Sequence, residues 1–126
     1  MKKIIATQAA PAAVGPYSQA IAAGDMLFCA GQIPIDPATG DLVEGDITAQ
    51  ATRVLENVKG VLAANGMTFA DVVKSTVFMV DLAEFAAMNA VYSQYFTEPF
   101  PARSTIQVAA LPRGGRVEIE VTAVRS

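Results

Sequence analysis

Hydrophobic positions recur along the chain with two different periods. Ile21-Ala22-Ala23 and Met26-Leu27-Phe28-Cys29-Ala30 flank Gly24-Asp25, a pair suited to closing a hairpin because glycine tolerates a positive φ. Gly31-Gln32-Ile33-Pro34 ends the second strand, and Asp36-Pro37-Ala38-Thr39-Gly40-Asp41 reads as a turn-rich loop. The two aspartates of that loop lack a third ligand and a calcium-loop spacing, so a plain turn is expected. Then the period lengthens. Ile47, Ala51, Val54, Leu55, Val58, Val61 and Leu62 make one helical stripe, with Asp46 placed to cap its start and Asn65-Gly66 to close it.

Val72 to Val80 is β-branched and mostly apolar on both faces, the pattern of a central strand. Asp81 and Glu84 have the spacing of a capping-box variant. They open a second helix with Phe85, Met88, Tyr92, Tyr95 and Phe96 on one side, and these aromatics read as core. After Pro99 and Pro101, strand-like runs cover Ser104–Ala109 and Arg116–Val124. The last run alternates Val117, Ile119, Val121 and Ala123 with Glu118, Glu120 and Thr122. The order ββ(β)–α–β–α–β–β predicts an α+β sheet with both helices on one face. No linker, repeat or low-complexity tract interrupts it, so one domain over residues 1–126 is expected.

Composition then shortens the chemical menu. The 126 residues include no His and one Cys. This excludes a Ser-His-Asp triad, a Cys-His dyad, any His-ligated metal, an internal disulfide and every CxxC motif. Hydrophobic residues make up 52% against 17% charged, and 23 alanines carry much of the excess. A small domain so poor in charge is expected to cover part of its surface with copies of itself. Met1–Ala6 begins like a signal peptide, but Thr7, Gln8 and Pro11 break the apolar run. With an unpaired thiol, that gives an expected cytoplasmic location and no membrane span. A net charge of −3 without an aromatic–basic stripe argues against nucleic acid, and Arg113-Gly114-Gly115-Arg116 reads as a charged turn.

Two features remain that could carry chemistry. Arg103 stands where the proline-stiffened Phe100-Pro101-Ala102 enters a strand. It is either a bidentate clamp for a substrate carboxylate or one half of a surface ion pair. Glu118 and Glu120 share a face of the last strand. They are either solvated edge acids or carboxylates whose pKa is raised by desolvation, able to hold or activate water.

A resemblance narrows these alternatives. The segments Ala10–Ala20 (APAAVGPYSQA), Gly31-Gln32-Ile33-Pro34, Asn57-Val58-Lys59, Val73–Phe78 (VKSTVF), Phe100–Ser104 (FPARS) and Val117-Glu118-Ile119-Glu120 resemble the Rid family in that order. These are the reactive intermediate (enamine/imine) deaminases, also called the YjgF or endoribonuclease L-PSP family. The likeness implies a chorismate-mutase-like sheet with two outer helices, assembled as a homotrimer around a central barrel with clefts between subunits. It implies cofactor-free, metal-free hydrolysis of 2-aminoacrylate and related enamines and imines to 2-oxo acids and ammonia. By the same likeness Arg103 binds the substrate carboxylate and Glu118, rather than Glu120, holds the water. Tyr17, Gly31 through its N–H, and Asn89 line the cleft, and Tyr17 and Arg103 of one site are free to belong to different chains. Two positions depart from the pattern. Ala30 stands where many deaminating members have Ser or Thr, and Thr105 where many have Cys, so substrate preference or rate is expected to differ. Cys29 is expected to be a buried structural thiol. Two other functions are carried alongside: a non-catalytic regulator that binds 2-oxo acids, and a single-strand endoribonuclease or translation inhibitor.

Overall fold

The computed structural model describes residues 1–126. Six strands form one mixed sheet in the order β1-β2-β3-β6-β4-β5. They are β1 (Lys2–Ile5), β2 (Ala20–Ala23), β3 (Met26–Cys29), β4 (Val72–Met79), β5 (Ala102–Gln107) and β6 (Val117–Val124). Neighbours pair antiparallel except β4 with β5, which run parallel because α2 (Phe85–Tyr92) carries the chain back between them. Both α2 and α1 (Ile47–Ala64) cover the same face, so the α+β class and the two-helix layer follow the sequence pattern.

The helix-facing side of the sheet holds the core. Leu27, Val77, Val117, Ile119 and Ala123 have no solvent exposure and meet the stripe Ala51, Val54, Leu55, Val61 and Leu62 of α1. Asp46 caps α1, its carboxylate accepting from the Ala49 N–H at 3.0 Å. The Gly24-Asp25 hairpin forms with Gly24 at φ 60°. Asp36 closes its loop with its own side chain and carbonyl, through Ala38, Thr39 and Gly40, as a turn does.

Four expectations need correction. β1 was hidden because its two lysines break the alternation, yet Ile5 is buried against the core. β5 begins two residues earlier than Ser104, because Ala102 and Arg103 pair with Lys74 and Ser75 of β4. Asp81 caps a single 3-10 turn, Leu82–Glu84, rather than opening α2. The reciprocal capping-box bond from Glu84 does not form, because that carboxylate binds the Arg116 guanidinium instead. The last correction concerns the aromatic stripe. Met88 and Phe96 are core, but Phe85 is half exposed, and Tyr95 lies beyond the helix with its hydroxyl donating to Glu56 at 2.7 Å.

Candidate active site

Arg103 sits near the start of β5, in register with Ser75 of β4, which pairs in turn with Val121 of β6. Cross-strand partners share a face. Arg103 therefore points to the helix side, where its Nη1 donates to Asn89 Oδ1 at 2.7 Å. Its guanidinium carbon lies 4.7 Å from the Tyr92 ring centroid and 5.5 Å from that of Phe85. No carboxylate reaches it, the chain's one ion pair being Arg116–Glu84. That removes the surface ion-pair alternative and leaves a cation with open donors. The guanidinium borders a cleft of about 410 Å³ shared with Asn89, Tyr92, Ser93, Phe100 and Pro101. Thr105 lies two residues further along the same face of β5, half-buried.

Glu118 belongs to the opposite face. It pairs in register with Phe78, while the core-facing positions of β6 are Val117, Ile119, Val121 and Ala123. Its carboxylate makes no hydrogen bond within the chain and has no cationic partner. Burial raises its pKa first, and the charge of Glu120 on the same face adds to the rise. A Cβ built on Gly31 would stand 2.0 Å from Glu118 Oε2, so the absence of a side chain there is what admits the carboxylate. The Gly31 N–H has no acceptor in the chain, although its neighbour Gln32 exchanges two backbone bonds with Ile119 at 2.9 and 3.1 Å.

Two buried amides hold this region. Asn57, fully buried on α1, donates to the carbonyls of Ile33 and Ile35 at 3.1 and 2.9 Å and so fixes the segment after Gly31. Gln19 donates to the carbonyls of Thr7, Ala10 and Pro11 and accepts from the Thr7 N–H. The N-terminal loop is thereby tied back, and Ala9 packs where any side chain on Gly60 would collide with its carbonyl at 2.6 Å. Tyr17 rides on that loop, 53% exposed, beside Gly31, Gln32 and Arg113 in a cleft of about 380 Å³.

The residues singled out from sequence thus form two groups. Arg103, Asn89 and Thr105 stand on the helix side at the β5 end of the sheet. Gly31 and Glu118 meet on the open side, and Tyr17 shares a cleft with Gly31. One chain does not bring the groups together. Ala30 has no hydroxyl to offer, and its N–H is engaged by the Gln19 carbonyl at 2.9 Å. Cys29 is buried on the core side, where desolvation pushes its thiol up to about 12. Arg113, at φ 62°, forms a turn with Pro112 and Gly114, as expected for that basic segment.

The sequence pattern gives both Phe85 and Tyr92 to the core and does not mark Tyr92 or Ser75 as neighbours of Arg103. The available signal was Phe85, Asn89 and Tyr92 at i, i+4 and i+7, a helical face on which a polar residue interrupts aromatics.

A cation with free planar donors is able to grip a carboxylate, and a desolvated carboxylate beside an open backbone N–H is able to take up and return a proton. The chain matches the endoribonuclease L-PSP family model over residues 7–125. It is 56% identical to Protein DfrA of Myxococcus xanthus over 98% of this chain and 95% of that protein. It is 52% identical to the 2-iminobutanoate/2-iminopropanoate deaminase of Salmonella typhimurium over 99% of both. The crystal structure of RidA from Psychrobacter sp. PAMC 21119 superposes with a TM-score of 0.93 at 48% identity, covering 97% of this chain and 98% of that one. The chain belongs to the Rid (YjgF, endoribonuclease L-PSP) family.

Proposed function

We propose that this protein hydrolyses 2-imino acids, and the 2-amino enoic acids that tautomerise to them, to 2-oxo acids and ammonia. The observation that carries this reading is the pair of uncommitted charges: Arg103 has no acid partner, and Glu118 has neither a cation nor a hydrogen-bond donor. Relatives named as 2-iminobutanoate/2-iminopropanoate deaminases support it.

In this mechanism Arg103 grips the substrate carboxylate through its free in-plane donors, and the Gly31 N–H supplies one more. Because the carboxylate keeps its charge through the reaction, this grip holds substrate and transition state alike and contributes to KM more than to kcat. The imine carbon is already electrophilic, so no strong nucleophile is needed. Glu118 holds a water against that carbon and takes its proton as the C–O bond forms. The same proton passes to nitrogen. Glu118 then takes the hydroxyl proton of the carbinolamine and returns it to nitrogen as the C–N bond breaks, so that ammonia leaves and the carbonyl of the 2-oxo acid forms. A raised carboxyl pKa suits this double duty, because proton return is easiest when the acid is not too strong. Neither metal nor cofactor takes part.

Arg103 and Glu118 face opposite sides of the sheet, which supports a reacting pair drawn from two chains. We therefore place the site between subunits of a homotrimer of the 126-residue domain, acting in the cytoplasm, with the open sheet faces forming a central barrel. The exposed Ile4, Met26, Phe28 and Ile106 support this, since each would otherwise leave apolar surface in water.

The test generates imines in situ with an amino-acid oxidase and traps the unhydrolysed fraction with semicarbazide. Wild-type protein should suppress trapping and release 2-oxo acid, while Arg103→Ala and Glu118→Ala should not. Unchanged trapping by wild type, together with 2-oxo acid binding that needs Arg103, would instead establish the non-catalytic regulator.

A further inference from the structure

Arg103 is held in an unusual way for a buried-side arginine. Only one of its donors is occupied inside the chain, by Asn89 Oδ1, and no carboxylate neutralises it. What lies against it instead is the Tyr92 ring, 4.7 Å from the guanidinium carbon and itself 6% exposed. A π face attracts a guanidinium without consuming its N–H groups, which lie in the plane of the cation. The planar fork therefore stays free for a bidentate acceptor. An acid partner would fix the arginine equally well but would occupy the donors that a substrate needs.

The ring is fixed in turn. Tyr92 Oη and Ser75 Oγ are 2.7 Å apart, and Ser75 has no solvent exposure. Phe96 stacks on the ring at 4.2 Å with an interplanar angle of 19°. Ser75 is the residue paired in register with Arg103 on the adjacent strand. The bond from Ser75 to Tyr92 thus closes a triangle of β4, α2 and β5 whose third side is the cation–π contact. A buried serine in the centre of an apolar strand face otherwise has no packing rationale, since alanine or valine would fill the same place without a polar group to satisfy.

We propose that Tyr92, anchored by Ser75, is a positioning residue that orients the Arg103 guanidinium with its in-plane donors open to the substrate carboxylate. The inference rests on the carboxylate-binding role assigned to Arg103 above. Because the carboxylate is gripped equally before and during reaction, loss of the ring should act on KM and leave kcat nearly untouched.

The experiment measures KM and kcat in the imine assay for Tyr92→Leu, Tyr92→Phe and Ser75→Ala, each alone and in the Arg103→Ala background. Tyr92→Leu should raise KM about tenfold, the scale of a partly desolvated cation–π contact, with kcat within about twofold of wild type. Tyr92→Phe keeps the ring and should recover most of the loss, and Ser75→Ala should match Tyr92→Phe. In the Arg103→Ala background, none of the three should raise KM further by more than about twofold. A merely structural role would lower kcat as well and would persist in that background. In parallel, the Arg103 side-chain resonances of the wild-type protein, assigned by their loss in Arg103→Ala, should show ring-current shifts and slowed guanidinium rotation. Those resonances keep the proposal testable should Tyr92→Leu fail to fold, and freely averaged, unshifted signals would overturn it. Wild-type KM in Tyr92→Leu, with a raised KM in Arg103→Ala, would also overturn the clamp while leaving the carboxylate site standing. Wild-type kinetics in Arg103→Ala would instead remove the functional reading on which the clamp rests.

Discussion

Gly31→Ala separates the chemistry of the site from its stability. The added methyl would stand 2.0 Å from Glu118 Oε2 and 2.8 Å from its Cδ, and an ordinary contact requires at least 3.4 Å. The carboxylate must therefore retreat by about 1.4 Å. It can do so, because it ends a flexible side chain with no hydrogen bond inside the chain. A changed rotamer costs about 0.5–1.5 kcal/mol, against about 0.4–1 kcal/mol gained by restricting the unfolded chain at a residue whose φ is not positive. The two nearly cancel, so thermal stability should change little. Catalysis should not be spared, since a misplacement of about 1 Å at a reacting group costs on the order of a hundredfold. The assay is kcat/KM for imine hydrolysis beside a thermal melt. A variant that melts like wild type and has lost about two orders of magnitude in kcat/KM fits the reasoning. Wild-type activity in a variant whose Glu118 is seen displaced by crystallography would refute it.

Three further outcomes follow from the same geometry. With its thiol pushed up to about 12 by burial, Cys29 should alkylate at pH 8 at least about a thousandfold more slowly in the folded protein than in urea, and comparable rates would contradict the burial. Asn57→Ala strands the buried carbonyl of Ile35, while that of Ile33 keeps the Ile35 N–H at 2.8 Å, and should cost about 1–3 kcal/mol in denaturant melts; a loss below about 0.5 kcal/mol would mean the segment is held otherwise. Glu118 has a raised pKa when folded, so the folded chain keeps its proton to higher pH than the unfolded chain, and stability falls as pH rises through that window. The melting temperature of Glu118→Gln should therefore match wild type at low pH and exceed it increasingly as pH climbs above the ordinary carboxylate range, whereas a constant gap would remove the titration from the explanation.

Much of this was legible in the sequence, and the reasons are local. The α1 stripe with Asp46 and Asn65-Gly66, the Gly24-Asp25 hairpin and the alternation of β6 each rest on neighbouring residues, and each formed where expected. β1 was not legible, because a strand with two lysines is defined by its partner β2 rather than by its own pattern. Glu84 shows the same limit. Its spacing from Asp81 favours a cap, but Arg116, 32 residues away, offers a charged partner and wins. In the site, Arg103 and Glu118 could be picked out by residue type and motif. Their separation onto opposite faces could not, since it depends on the register of β4 against both β5 and β6. Tyr92 was read as core and is indeed buried, but its second role required knowing what lay over its ring.

The central claim is that Arg103 of one subunit works with Glu118 of the next. It can be tested by mixing Arg103→Ala and Glu118→Ala proteins, each strongly impaired alone at substrate concentrations below the wild-type KM, unfolding them together and refolding. In a ring of equal mixed subunits a site is intact only when both of its contributors are, so about a quarter of wild-type activity should return. Activity that stays at the level of the separate variants, in mixed assemblies verified by mass, would contradict the account and place both residues in one chain's site.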